Sequence, residues 1–205
     1  MLLNGLIART EHASFYRRLQ ASVGSHRLWT WFVEAKVLPL RPKRILDLGC
    51  GTSDILTHLP DEIEYVGIDP HEPYIKAASA RYNNRGQWHM AEVNHTTLKA
   101  LGSFDMVLLL GVLHHCSDEM ALELLNMAKS TLTDTGCVLH LDGCIHPEAG
   151  WLETMLYRLE RGLYVRTQAG YGDLMTQSFA TSSQHVEDGL LRLPYRYCVG
   201  LGRTR

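Results

Sequence analysis

A glycine turn flanked by two acids sets the chemistry open to this chain. Residues 44–69 read RILDLGCGTSDILTHLPDEIEYVGID. Ile45, Leu46 and Leu48 make a short apolar run that ends in Gly49, Cys50 and Gly51, where missing side chains let the backbone turn sharply and lie close to a ligand. Thr52, Ser53 and Asp54 then supply N-cap-type side chains ahead of Ile55, Leu56 and Leu59, and Pro60 stops the turn of helix. A second apolar run closes at Asp69, twenty positions after Gly49. An acid at the carboxyl end of the next parallel strand can accept hydrogen bonds from both ribose hydroxyls. Two neighbouring strand ends thus address one nucleoside.

Asp54 narrows the kind of nucleoside. A dinucleotide fingerprint has a third glycine at that position, so that the helix N-terminus can receive a pyrophosphate, and an acid there repels a diphosphate. A cation suits the loop better, because Asp47 and Asp54 surround it with negative charge. Leu46-Asp47-Leu48-Gly49-Cys50-Gly51-Thr52 resembles the first motif of the class I S-adenosylmethionine-dependent methyltransferases.

That resemblance implies S-adenosyl-L-methionine as cofactor and a Rossmann-like fold. Asp47, Gly49, Cys50 and Gly51 would lie under the methionine and ribose portion, with Asp47 holding the amino group directly or through water. Asp69 would hold the ribose hydroxyls, while Pro70 and His71 would meet one adenine face. Glu92 and Val93 follow the third strand near the adenine edge, with Glu92 where the family more often has Asp. Leu110 and Gly111 end the fourth strand, where a backbone carbonyl commonly accepts from the amino group. The match runs well from Arg41 to Asp142 and thins outside it.

Chemistry on the acceptor rests on His114 and His115, directly after the fourth strand. Methyl transfer is an in-line displacement, and alignment with exclusion of water can supply about 7 to 11 kcal/mol of the barrier. A hydroxyl or ammonium acceptor must also lose a proton, for which a histidine of pKa near ~6.5 is suited. Capping or packing is the competing role for this pair. His140, Asp142, Cys144 and His146 alternate along an extended segment and so share one face, yet the spacings of strong metal sites are absent and no metal is expected. Asp142, closing the fifth strand, is a further candidate for acceptor contact.

These residues need a scaffold, and the sequence supplies an alternation of strand and helix. Helical faces run through residues 11–37, with Phe15, Leu19, Val23, Leu28, Phe32 and Ala35, until Pro39 and Pro42. Pro73 opens a helix that stops near Asn83, Asn84 and Gly86, and 87–91 reads as the third strand. The unbroken apolar run 104–110 is the expected sheet centre. Ser117, Asp118 and Glu119 open the next helix, and 137–141 is the fifth strand. Short helices are expected at 151–159 and 168–179, and extended runs at 186–193 and 195–201. The fold class is therefore α/β: an open, twisted, mostly parallel sheet of about seven strands, helices on both faces and an antiparallel C-terminal pair. Residues 1–40 are expected as an N-terminal helical lid, 41–205 as the methyltransferase domain, and about 145–180 as an acceptor-side insertion.

Composition bounds the partners. The 205 residues carry a formal net charge of −2, so no basic surplus marks a nucleic-acid surface. Five cysteines without paired spacing fit reduced thiols in a cytoplasmic protein, and the longest apolar stretch, 106–113, is too short to insert in a membrane. Tyr16, Trp29, Trp31, Trp151 and Tyr157 can wall an apolar acceptor, and Arg158, Arg161 and Arg166 can hold an anionic group on it. Segments typical of methylation on base amines or pyrimidine carbons are absent, which favours a small-molecule, lipid or glycan acceptor. A tRNA or protein methyltransferase, a nicotinamide oxidoreductase and a non-catalytic cofactor-binding protein are the competing readings.

Overall fold

The structure, a computed structural model, describes residues 25–159 and 162–204. Phe15, Tyr16, Leu19, Val23 and Arg161 lie outside the described residues. Helix α1, Ser25–Phe32, runs on through a π turn, Val33–Val37, and a 3-10 turn, Leu38–Leu40, where Pro39 ends the helical path as its missing N–H requires. Strand β1, Arg44–Leu48, leads to the glycine turn and a 3-10 turn at Asp54–Thr57. Next come β2, Glu64–Asp69; α2, Glu72–Tyr82; β3, Gln87–Met90; and α3, His95–Leu101. After β4, Phe104–Leu110, and α4, Asp118–Ser130, the long strand β5 spans Leu132–Ile145. The rest is α5, Trp151–Leu159; a two-residue strand β6, Arg166–Thr167; α6, Gln168–Ser178; β7, Thr181–Glu187; and β8, Tyr197–Arg203.

Seven strands lie in the order β3-β2-β1-β4-β5-β8-β7, with β6 attached to β5 beside that path. The pairs from β3 to β5 are parallel, while β5 with β8 and β8 with β7 are antiparallel. The expected open sheet with its antiparallel C-terminal pair is therefore present. Crossovers put helices on both faces, so β4 is apolar almost throughout: Leu109 and Val107 face one core with Leu46, Leu48 and Ile68, and Met106 and Leu108 face another with Ile45, Tyr65 and Phe32. Caps fix several helix starts. The Ser117 side chain accepts from the Met120 N–H and the Asn94 side chain from the Thr97 N–H.

The expected strand 186–193 lies instead at Thr181–Glu187, a polar edge segment that apolar patterning passes over. Only its end reached the apolar run that the sequence offered, and Gly189, at φ +63, turns the chain away. Helix α3 was also not anticipated, because its single buried side chain, Leu98, makes no periodic signal. The N-cap expected after the glycine turn does not form. Ser53 sits in the left-handed region and its side chain caps nothing, and the expected turn of helix is a 3-10 turn over Asp54–Thr57.

Candidate functional site

The carboxyl ends of β1, β2, β4 and β5 carry most of the residues singled out above. The β1 turn is stitched to β2 by backbone: the N–H groups of Gly49 and Cys50 both donate to the Ile68 carbonyl, at 2.8 and 3.0 Å. Gly49 and Gly51 have φ of +75 and +51, which a side chain would resist. At Gly49 there is a second constraint, since a Cβ would lie 2.8 Å from a Val112 methyl. The two loops, after β1 and after β4, therefore touch at that glycine.

Asp69 closes β2 and is buried. Its Oδ2 accepts from the Gly51 N–H at 3.0 Å and its Oδ1 from the His71 N–H at 2.8 Å, with the His71 Nδ1 at 3.1 Å. One carboxylate thus braces the glycine turn and the start of α2 while keeping lone pairs for another donor. His71 is itself exposed and tilts against Tyr74, and Pro70 is exposed beside it. Glu92 is exposed one residue past Ala91, whose N–H donates to the Asp69 carbonyl, and Val93 is half-buried against the core. Leu110 is half-buried, and the Gly111 N–H donates to the Leu141 carbonyl at 2.7 Å.

The charge of Asp54 is not left over for a ligand as expected. Arg81 of α2 forms an ion pair with its carboxylate, and the Thr52 hydroxyl donates to it at 2.8 Å, so the loop's excess negative charge is neutralised there. Cys50 is buried, its sulfur set over Gly67, where a Cβ would come within 2.7 Å. Burial pushes its thiol far above the ordinary range, which makes it a packing residue whose backbone, and not its sulfur, faces the turn.

Asp47 is 2% exposed. The Tyr65 hydroxyl donates to its Oδ2 at 2.6 Å, while its Oδ1 is buried without a hydrogen-bond partner. Burial, opposed by the Tyr65 hydrogen bond and reinforced by Asp69, pushes its carboxyl up to about 7. An orphaned buried oxygen at a strand end fits a ligand bearing a cation or an N–H donor.

The histidines separate clearly. His114 is buried, with its backbone N–H and ring Nδ1 both directed to Asp142 Oδ1, at 3.2 and 2.8 Å; His115 is exposed, its ring centroid 4.1 Å from that of His114. Asp142 has no exposed surface and also receives His140 Nδ1 on Oδ2 at 3.1 Å. Burial alone would raise its pKa, but the hydrogen bonds from His114 and His140 outweigh it and hold the carboxyl well below the usual range. Both oxygens of Asp142 are thus turned to the two histidines, and its burial leaves no surface open to solvent. The expected shared face of His140, Asp142, Cys144 and His146 does not gather ligands, and among the described residues no group of three or more His, Cys, Asp or Glu is placed to hold a metal.

A strap crosses above His114. A Cβ on Gly162 would lie 2.2 Å from the His114 ring, and the Tyr164 N–H donates to the His114 carbonyl at 3.0 Å. Arg166 donates to the carbonyls of Leu113, Cys116 and Tyr164 and pairs with Asp118, so it fastens this strap and is not an anion ligand. Tyr157 is likewise withdrawn from the expected acceptor wall, its hydroxyl bonded to buried Glu153, which pairs with Arg196. Trp29 and Trp31 are packed partly against the second core. Trp151 is 80% exposed, and Arg158 is exposed. The partnerships of Tyr65, His140 and Arg166 escaped the sequence reading; a tyrosine in an otherwise aliphatic strand beside an acid-ended one was the available signal for the first.

Residues 46–138 match the family described as a methyltransferase domain. The malonyl-[acyl-carrier protein] O-methyltransferase of Legionella pneumophila is 30% identical over 154 residues, 71% of this chain and 50% of that protein. The tRNA U34 carboxymethyltransferase of Photorhabdus laumondii is 33% identical over 93 residues, 42% of this chain and 29% of that one. The chain thus spans half or less of these relatives' lengths. Among solved structures, the S-adenosylmethionine-dependent methyltransferase SibL has a TM-score of 0.70 at 20% identity, covering 93% of this chain and 58% of that one. The plantazolicin methyltransferase BpumL, solved with a triazolic desmethylPZN analog and SAH, has a TM-score of 0.68 at 15% identity, covering 95% of this chain and 90% of that one. At such identities these two show a shared fold.

Proposed function

We propose that the chain, whose residues 46–138 match a methyltransferase domain, is a class I S-adenosylmethionine-dependent methyltransferase that moves a methyl group from this cofactor to a small organic acceptor, a natural-product, lipid or glycan intermediate. The observation that carries the reading is the meeting of two arrangements at neighbouring strand ends. Beside β1 lies a glycine turn with a buried acid that has one oxygen unpaired; beside β4 lies a histidine oriented by a buried carboxylate.

The residues fit the cofactor. Asp47 offers an unsatisfied oxygen to an amino group, Gly49 and Gly51 keep the turn low beneath the ligand, and Asp69 retains acceptor capacity for ribose hydroxyls. Pro70, His71, Glu92 and Val93 surround the place for adenine, and Leu110 and Gly111 bring backbone to the amino group's other side. When bound, S-adenosylmethionine supplies an electrophilic methyl on a positively charged sulfur. The protein aligns the acceptor and keeps water out.

His114 takes the acceptor's proton. With Nδ1–H donated to Asp142, the ring's accepting nitrogen is Nε2, and the carboxylate stabilises the imidazolium that forms. His115 stands at the exposed side of the pair and lines the approach. Ile145 at the end of β5 and Trp151, Met155, Leu163 and Tyr164 beyond it expose apolar surface, which suits an apolar or aromatic acceptor held by an insertion over about 145–180. The Legionella relative's name, an O-methyltransferase of an acyl-carrier substrate, is consistent with an oxygen acceptor. A cytoplasmic setting fits five free cysteines, and no helix among the described residues is long and apolar enough to cross a membrane.

Incubation of the protein and methyl-labelled cofactor with an extract of its own cell tests the reading. Label is expected in a low-molecular-weight compound; label confined to tRNA or protein would replace the acceptor class.

A further inference from the structure

Asp47 is held in a way that the fold does not require. Among the described residues, the titratable groups facing it are the Tyr65 hydroxyl from β2, the Asp69 carboxyl at the end of that strand and the Cys50 thiol from the turn, and none of these is cationic. A carboxylate there would be a buried charge with a second acid beside it and one oxygen wholly unpaired, and such a group keeps its proton.

Tyr65 is the unusual partner. It stands in an otherwise apolar stretch of β2, 1% exposed, and its ring is wedged: a Cβ on Gly86 would lie 3.0 Å from Tyr65 Cδ1. The register sets Tyr65 opposite Ile45, two residues before Asp47 on the same face of β1, so its hydroxyl reaches along the strand to one carboxyl oxygen and leaves the other. A hydroxyl in this place selects which oxygen remains for a ligand.

We propose that Asp47 is a neutral acid in the free protein and ionises as the cofactor's ammonium group arrives, with Tyr65 as the positioning residue that holds Oδ2 and presents Oδ1. The carboxyl O–H bond breaks, its proton passes to solvent buffer, and the ammonium keeps its own protons. The ligand's charge then supplies the partner that the protein withholds. This rests on the cofactor reading above and adds to it a proton linkage and a role for Tyr65.

Calorimetric titration with S-adenosylhomocysteine, in two buffers of different ionisation enthalpy, tests it on the wild-type chain. Release of roughly 0.9 proton is expected at about pH 6, and affinity should rise roughly twentyfold from about pH 5.5 to 7.5, since the carboxyl is about 7 in the free protein. Asp47→Asn should abolish both effects. Tyr65→Phe should shift the affinity rise to higher pH, because the lost hydrogen bond no longer favours the ionised form. Binding with no proton exchanged and no pH dependence overturns the proposal while leaving the cofactor reading intact. Undiminished proton release in Asp47→Asn overturns it too, by placing the proton elsewhere. Absence of binding at every pH overturns the cofactor reading itself, and the wild-type result stands whether or not either variant folds.

Discussion

His114 Nδ1 and Asp142 Oδ1 lie 2.8 Å apart although 28 residues separate them in sequence, because β4 and β5 pair in parallel and bring their carboxyl ends together. The same carboxylate oxygen receives the His114 backbone N–H, so the ring is fixed at both its root and its edge. A histidine held so firmly has one orientation to offer.

Asp142→Asn should therefore lower kcat by about 10² to 10⁴, as loss of a base's orienting carboxylate does in other enzymes, with S-adenosylhomocysteine affinity nearly unchanged. Single-turnover kinetics beside calorimetry separates the two. Equal losses in kcat and cofactor affinity would instead mean that the loop has collapsed.

Asp142 also predicts a direction for acid stability. Its folded-state pKa is depressed, so its contribution is present above the ordinary carboxylate range and is lost as pH falls below it. Urea unfolding at stepped pH should show wild type losing stability through this window, with Asp142→Asn losing less.

Asp47 predicts the opposite sign. Its folded-state pKa is raised to about 7, so the folded ligand-free protein binds an extra proton between about pH 4 and 7 and loses stability as pH rises through that window. Asp47→Asn should be more stable than wild type at about pH 7.5, by on the order of 2 to 4 kcal/mol, and no more stable near pH 4. Melting curves without ligand at both pH values decide it.

Asp69→Ala should weaken S-adenosylhomocysteine binding by more than about 1 kcal/mol, since it removes a charged acceptor and unpins both the Gly51 and the His71 N–H groups. Asp69→Asn, which keeps one oxygen, should recover part of the loss. Wild-type affinity in Asp69→Ala would reduce this acid to a loop brace.

Gly49→Ala should destabilise the fold by about 2 kcal/mol, through a left-handed backbone and a contact with Val112. Val112→Ala in the same chain should recover the contact part and leave the backbone part. A denaturant series on the two single variants and the double variant gives the split.

The glycine turn, the strand acids and the parallel alternation were legible in sequence because each is a local pattern: a glycine pair after an apolar run, an acid at a run's end, a continuous apolar strand in the sheet centre. What stayed hidden depends on distant residues. Arg81 pairs with Asp54 across 27 positions and offsets the charge that Asp54 was expected to lend the loop. Tyr157 looks like a pocket wall by composition, yet a buried Glu153 one helical turn away takes its hydroxyl. The edge strand Thr181–Glu187 has polar residues on its open side and so lacks the pattern by which central strands announce themselves. His114 and His115 are identical in type and adjacent, and only the fold makes one buried and the other exposed.

Arg166 ties together backbone from the loop after β4, the start of α4 and the strap over His114. Its guanidinium acts as a rivet between two regions with different tasks. Exposed positions of α5 such as Trp151, Met155 and Arg158 can consequently change while the cover over His114 stays in place, provided the rivet, the small residue at Gly162 and the buried Glu153–Arg196 pair are kept. A fold fastened this way can vary an exposed surface without loosening the loop that carries its buried histidine.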